Sequence, residues 1–343
     1  MRTTFAVSLA CAAALGASAA PSITITIGVP QQVDDVNSFL VTTTVRNTGT
    51  ETLKLLNDPR GVLSNAATKT FDIANESGSP EFNGMLVKYS PDYVIKNNDP
   101  TDFTVLEPGQ SREITHNLAG ISSYDIFQYV DGSGNLATIK ATTEPVTFGV
   151  GGNLVSAEVL HKRQPRIVRR QNSPQFVSCS DSQKDTILDA VKGAEDYAQQ
   201  AADYLEQVNS GTDRYTTWFG EYDQGRVSKV ASHFKAITGK ATQSTYDCSP
   251  SECGNASTFA YVYPNQPGKV YLCGAFWNAP VTGTDSKAGT IVHEQTHFDE
   301  YGGTGDHAYG QRGCQELAQK DPNTAVMNAD SHEYFAENNP FRS

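Results

Sequence analysis

A chain of 343 residues has room for two ordinary domains, and a composition of 38% hydrophobic and 19% charged residues is that of folded protein rather than a disordered tract. The net charge of −12 argues against nucleic acid as a partner, because phosphate binding calls for a basic surface. Beyond the N-terminus no stretch reaches the ~20 consecutive apolar residues of a bilayer span, so no membrane partner is expected.

At the N-terminus, Arg2, an apolar run over residues 5–15 and small residues at 17–19 have the layout of a secretory signal, which predicts a secreted, extracellular product once residues 1–19 are removed. Of the six cysteines, Cys11 falls in that segment. Cys179, Cys248, Cys253, Cys273 and Cys314 remain for an oxidising compartment where disulfides persist. Residues 22–155 read as short β-branched or alternating runs, such as 23–27, 39–45 and 146–150, separated by turn formers at 47–49 and 131–132. That pattern predicts an all-β, sandwich-like domain over residues 20–170, without clustered catalytic residue types. Asn75 opens an N-x-S sequon in it, as Asn255 does further on; both are candidate glycosylation sites.

Residues 161–170 form a basic linker ending in Arg169 and Arg170. Paired basics in an exposed linker suit a kexin-like processing protease, which would make 20–170 a propeptide and 171–343 the mature domain. After the linker, apolar residues recur near the 3.6 period over 181–208: Ile187, Leu188, Val191, Ala194, Ala198, Ala201, Ala202 and Leu205. A second helix is expected over 223–237 and strands over 259–263 and 270–272, giving an α+β domain.

Within that domain, His293-Glu294-Gln295-Thr296-His297 is an H-E-x-x-H motif, with Asp285 and Ser286 as helix-start residues. Helical positions four apart share a face, so both imidazoles can reach one metal with Glu294 beside them as general base. Imidazole and carboxylate suit Zn²⁺, and a catalytic zinc takes three protein ligands. Glu316 is one candidate for the third. A histidine six residues on is excluded, since position 303 is glycine, and the other candidate is Asp306, set in a glycine-rich turn over 302–310. Taken alone, an aspartate in such a loop is also an ordinary turn residue.

H-E-x-x-H followed by G-T-x-D-x-x-Y-G, which ends here in Tyr309 and Gly310, resembles the aspzincin metallopeptidases, the deuterolysin family. The resemblance implies a zincin-like fold, one Zn²⁺ on His293, His297 and Asp306, Glu294 as catalytic base and Tyr309 as stabiliser of the oxyanion. Residues 214–220, 260–265, 270–277 and 328–335 are similar to the peptidyl-Lys metallopeptidase branch, which cleaves on the amino side of lysine. Its acidic pocket falls on Asp330 and Glu333. An i,i+3 carboxylate pair on a helix suits one ammonium, although D-x-x-E is also a helix capping box. The family further implies Cys179–Cys248 and Cys253–Cys273 bridges, leaving Cys314 over as a buried or reactive thiol. The expectation is a monomeric secreted zymogen acting on protein or peptide substrates. The alternatives are a deuterolysin-like neutral protease of broader specificity and a secreted binding protein with a non-catalytic zinc domain.

Overall fold

The computed structural model describes residues 20–33, 39–71, 82, 84–117, 126–150 and 173–343. Residues 1–19, where a signal is expected, Asn75 and the basic stretch with Arg169 and Arg170 lie outside the described residues. The first half supplies β1 (Ile23–Gly28), β2 (Gln32–Val33), β3 (Leu40–Asn47), β4 (Leu53–Leu56), β5 (Leu86–Tyr89), α1 (Pro91–Asn97), β6 (Phe103–Leu106), β7 (Ser111–Asn117), β8 (Ile126–Val130), β9 (Leu136–Lys140) and β10 (Gly149–Val150). Two antiparallel sheets, ordered β1-β3-β7 and β6-β4-β8-β9, share one core. The period-2 pattern explains the sharing: Val41, Thr43 and Val45 of β3 point inward, and Leu53 and Leu55 of β4 belong to the same cluster. The run expected over 146–150 forms a strand only at its end, as β10, which pairs in parallel with β2.

Two features depart from an all-β reading of this half. Ser90 caps α1 by accepting from Tyr93 N, and Pro91 starts the helix where a missing N–H costs nothing. More consequentially, β5 leaves both sheets and becomes the edge strand of a third.

That third sheet is built otherwise from β11 (Gln175–Val177), β12 (Thr245–Asp247), β13 (Thr258–Val262) and β14 (Lys269–Leu272), in the order β11-β12-β14-β13-β5. β5 pairs antiparallel to β13, with Lys88 opposite Ala260 and Val87 opposite Tyr261. Around the sheet lie α2 (Asp181–Leu205), α3 (Asp213–Phe219), α4 (Gln224–Ile237), α5 (Gly274–Asn278), α6 (Lys287–His297), α7 (Gly310–Lys320), α8 (Pro322–Ala325) and α9 (Ala329–Glu337), so the molecule mixes helices with sheets.

α2 begins at a capping box of Ser180 and Gln183 and packs on α4 and α6 through Ile187, Val191, Ala194 and Ala198. Leu188, expected on that stripe, is 45% exposed. One residue beyond Ile187, it is rotated ~100° off the buried face. Bridges join Cys179 to Cys248 and Cys253 to Cys273, and Cys314 is a buried thiol on α7. Among the described residues no helix is long and apolar enough to cross a membrane.

Candidate active site

α6 is buried along its whole length, so its polar side chains must find partners inside the protein. Ser286 caps it by accepting from Gly289 N at 2.9 Å, and Glu337 of α9 holds Ser286 N and Oγ at 2.9 and 2.8 Å. Helical spacing sets His293 and His297 on one face with their Nε2 atoms 3.0 Å apart. Past His297 the chain reverses: Phe298 O accepts from the amides of Tyr301, Gly302 and Gly303, and Thr304 N donates to Thr296 O. A β-carbon on Gly302 would stand 2.5 Å from Thr296 O, so this close return requires glycine. It delivers Asp306 Oδ1 to 3.3 Å from each Nε2. Asn328 then fixes the loop, its Oδ1 accepting from His307 N and Ala308 N.

The three ligand-type atoms have their other bonds arranged to leave them free. His297 Nδ1 lies 2.9 Å from Thr304 O, a carbonyl that can only accept, so the ring's lone pair is on Nε2. His293 Nδ1 lies 2.8 Å from Asp330 Oδ1 and 3.3 Å from Glu333 Oε2, carboxylates whose charge favours a proton on that nitrogen and so the same tautomer. Asp306 Oδ1 is buried without a hydrogen-bond partner. Burial would raise the Asp306 pKa, but the two imidazoles outweigh it and hold the carboxyl well below the usual range.

Glu294 follows His293 and is wholly buried, which pushes its pKa well above the usual carboxylate range. Asp330 and Glu333 sit on α9, which packs closely on α6 because Gly289 has no side chain: a β-carbon there would overlap Glu337 Oε1 and press on Glu333 Cγ. The N-cap of α9 is Asn328, without a side-chain capping bond, so Asp330 and Glu333 do not form the capping box their spacing allowed. Asp330 Oδ2 instead accepts from Gly310 N at 2.8 Å, beside Tyr309. Glu316 is on the outer side of α7 with Arg312 and Lys320, which excludes it as a ligand.

Across this cleft runs β5. Val87 N donates to Asp306 Oδ2 at 2.8 Å, Tyr309 OH donates to Val87 O at 2.6 Å, and Lys88 N donates to Glu294 Oε1 at 3.1 Å. The Lys88 ammonium, fully buried, lies 2.8 Å from Glu333 Oε2, 3.1 Å from Asp285 Oδ1 and 3.2 Å from Asp330 Oδ1. Burial alone would lower its pKa, but these three carboxylates more than reverse that and raise it well above the ordinary lysine value. From the same half, Arg60 stacks 4.0 Å from the Tyr309 ring centre and donates to Asp306 O at 3.3 Å.

Comparison with known proteins gives the family. Residues 204–337 match the aspzincin family model, described as lysine-specific metallo-endopeptidase. The peptidyl-Lys metalloendopeptidase of Grifola frondosa is 44% identical over 346 residues, covering 96% of this chain and 97% of that relative. The chain belongs to the aspzincin family. The corresponding Armillaria mellea protein is 42% identical over 97% of this aspzincin and 96% of its own length, and an extracellular protease of Aeromonas hydrophila is 36% identical over 91% and 90%. A solved zinc peptidase from Grifola frondosa is 51% identical, spanning 48% of this chain and 100% of its own, with a TM-score of 0.47.

This aspzincin is thus a zinc metalloendopeptidase. Its residues fit the metal: two imidazole nitrogens and an orphaned carboxylate oxygen sit 3.0, 3.3 and 3.3 Å apart. The ligand–ligand edge of a tetrahedral site with ~2.0 Å bonds is about 3.3 Å. The other cluster with ligand-type spacing among the described residues, His293, Asp330 and Glu333, is filled by the Lys88 ammonium. Sequence reasoning missed Lys88, Arg60 and the second role of Asp285. Lys88 carries no local signal, being one charged residue in a short strand, 206 positions from Glu294. Asn255, a sequon residue, donates its amide to Asn57 O at 3.0 Å, a bond that a glycan on that nitrogen would displace.

Proposed function

We propose that this aspzincin is a secreted zymogen of an endopeptidase that hydrolyses the peptide bond on the amino side of lysine. One observation carries the reading: the chain's own Val87–Lys88 peptide bond lies between Tyr309 and Glu294 while its lysine ammonium is clasped by Asp330 and Glu333. In this reading His293, His297 and Asp306 hold one zinc in the catalytic domain. When bound, the metal supplies Lewis acidity and lowers the pKa of its water to about 7.

The remaining work falls to side chains. Glu294 takes the proton of the attacking water and returns it to the departing amine, the nitrogen whose counterpart, Lys88 N, already donates to it. Tyr309 OH donates to the carbonyl oxygen as negative charge develops there, as it does to Val87 O. The β13 edge aligns the substrate as an added antiparallel strand, the geometry that β5 adopts. Asp330 and Glu333 select lysine in the position after the cut.

The zymogen part of the proposal makes residues 1–19 a signal and 20–170 a β-rich propeptide whose strand β5 fills the cleft. A kexin-like protease cutting after Arg169 and Arg170 releases the domain from 171 onward, a monomer acting on protein or peptide substrates. The Aeromonas hydrophila relative, an extracellular protease, supports the secreted location. Glycosylation is proposed at Asn75, and at Asn255 only where its contact with Asn57 is given up. The test is to digest a denatured protein with the activated enzyme and read the new N-termini by mass spectrometry. Lysine at the great majority of them is expected; broad apolar starts would instead identify a deuterolysin-like neutral protease.

A further inference from the structure

The three carboxylates around the Lys88 ammonium differ in what else they hold. Asp330 Oδ1 and Glu333 Oε2, the oxygens facing the ammonium, also face His293 Nδ1 at 2.8 and 3.3 Å. Their charge is shared between the lysine and an imidazole of the metal cluster, and a carboxylate behind a ligating histidine sets that ring's orientation and basicity. Asp285 has no such tie. Its Oδ1, 3.1 Å from Lys88 Nζ, also accepts from Tyr334 OH at 2.7 Å. Its Oδ2 accepts from Ser90 Oγ at 2.8 Å, and its own amide points to Glu337 Oε2 at 3.3 Å. It stands directly before the α6 cap Ser286, at a φ of 50°, a left-handed conformation that aspartate and asparagine tolerate better than most residues. Its side chain is 17% exposed while those of Asp330 and Glu333 are 0% exposed, which puts it at the mouth of the pocket.

An ammonium carries three N–H donors and no acceptor. With Asp330 and Glu333 alone, one donor of a fully buried lysine would point at nothing charged; with Asp285 the count of facing carboxylates equals the count of donors. A compact ring of three separate acceptors around one point suits an ammonium. A planar guanidinium is matched instead by the paired oxygens of one carboxylate.

We infer that Asp285 is a specificity-determining residue of this enzyme, the third carboxylate that receives the primary ammonium of a substrate lysine, and the one that does so without serving the metal site. The inference rests on the lysine reading proposed above. It separates two properties that substitutions at Asp330 or Glu333 would change together.

The experiment compares the activated wild type with Asp285→Asn, which keeps the backbone preference and the side-chain shape but removes the charge. Paired reporter peptides carry lysine or arginine after the scissile bond, and zinc content and thermal midpoint are measured on the same samples. For Asp285→Asn, kcat/KM on the lysine reporter falls about tenfold, mainly through KM, and the lysine-to-arginine ratio falls with it. Zinc content and midpoint stay at wild-type values, and Asp285→Glu recovers part of the loss. Unchanged kinetics in Asp285→Asn overturn the inference. So does an equal fall on both reporters accompanied by lost zinc or a lowered midpoint, which marks a structural role. A wild type indifferent to lysine on the same reporters overturns the parent reading instead, so the two failures are told apart.

Discussion

At the residue scale, the proposed chemistry concentrates on Glu294. In the proposed mechanism Glu294 acts as a base, yet burial pushes its pKa well above the usual range; a cation in the adjoining cluster of His293, His297 and Asp306 is what would restore its ionised form. Replacing Glu294→Gln keeps the shape and the hydrogen-bond acceptor while removing the base. The variant is expected to keep its zinc, measured by elemental analysis, while kcat on a lysyl peptide drops on the order of 10²–10⁴-fold. Full activity in that variant sinks the proton-transfer role. Most of this site was legible in the sequence because its parts are local: His293, Glu294 and His297 lie on one turn of helix, and Asp306 follows within one glycine-rich reversal. Lys88 and Asp285 were not legible. The contact between Lys88 and Asp330 spans 242 positions and exists only after the third sheet has closed, and Asp285 was read only as a helix-start residue.

At the scale of elements, α9 links the carboxylates around Lys88 to the core through a pair of neutral histidines. His332 Nδ1 donates to Asn328 O at 2.9 Å, so its Nε2 is an acceptor, and His233 Nδ1 of α4 lies 3.0 Å from it as the donor. A proton on His332 Nε2 would break the bond between the rings, while a proton on His233 would place a charge in a buried site. Burial lowers the His233 pKa to about 4 and holds His332 well below its ordinary value. With the folded pKa depressed, the unfolded chain binds the proton first, so stability is complete above about pH 6.5 and declines as pH falls toward 4. For His233 alone the loss by pH 5 is on the order of 2 kcal/mol. Urea denaturation at pH 8 and pH 5 measures it, and His233→Asn, which preserves the donor without a titrating ring, is expected to reduce the difference between the two pH values. An unaltered difference would mean other groups dominate the acid response. α2, α4 and the strands β13 and β14 were readable from the sequence pattern to within a few residues, whereas α9 came into view only through the family resemblance. The destination of β5 was not, because a four-residue run fits the edge of any sheet, and only the partner's exposed backbone decides which one.

At the scale of the whole molecule, the first half places a strand in the cleft of the second and keeps it there by covalent connection. Covalent connection makes the docking of this strand intramolecular, so it competes with a dilute substrate at an advantage and even modest affinity would keep the cleft closed. Much of the affinity should reside in Lys88, whose ammonium satisfies three carboxylates that would otherwise be buried without a counter-charge. Lys88→Met preserves the unbranched stem and removes the charge, leaving the backbone pairing with β13 intact. Charge-assisted hydrogen bonds of this kind contribute about 1.5–3 kcal/mol each, so losing them weakens the strand by a factor of ten or more. The intact zinc-loaded variant, its integrity checked by mass, is expected to hydrolyse a lysyl reporter at least tenfold faster than the intact wild type. Once the linker is cut and the first half removed, the two enzymes should be equal. An intact variant as silent as wild type, with equal activity after cutting, would mean that the backbone pairing of β5 and the packing of Arg60 and Tyr309 close the cleft without the lysine.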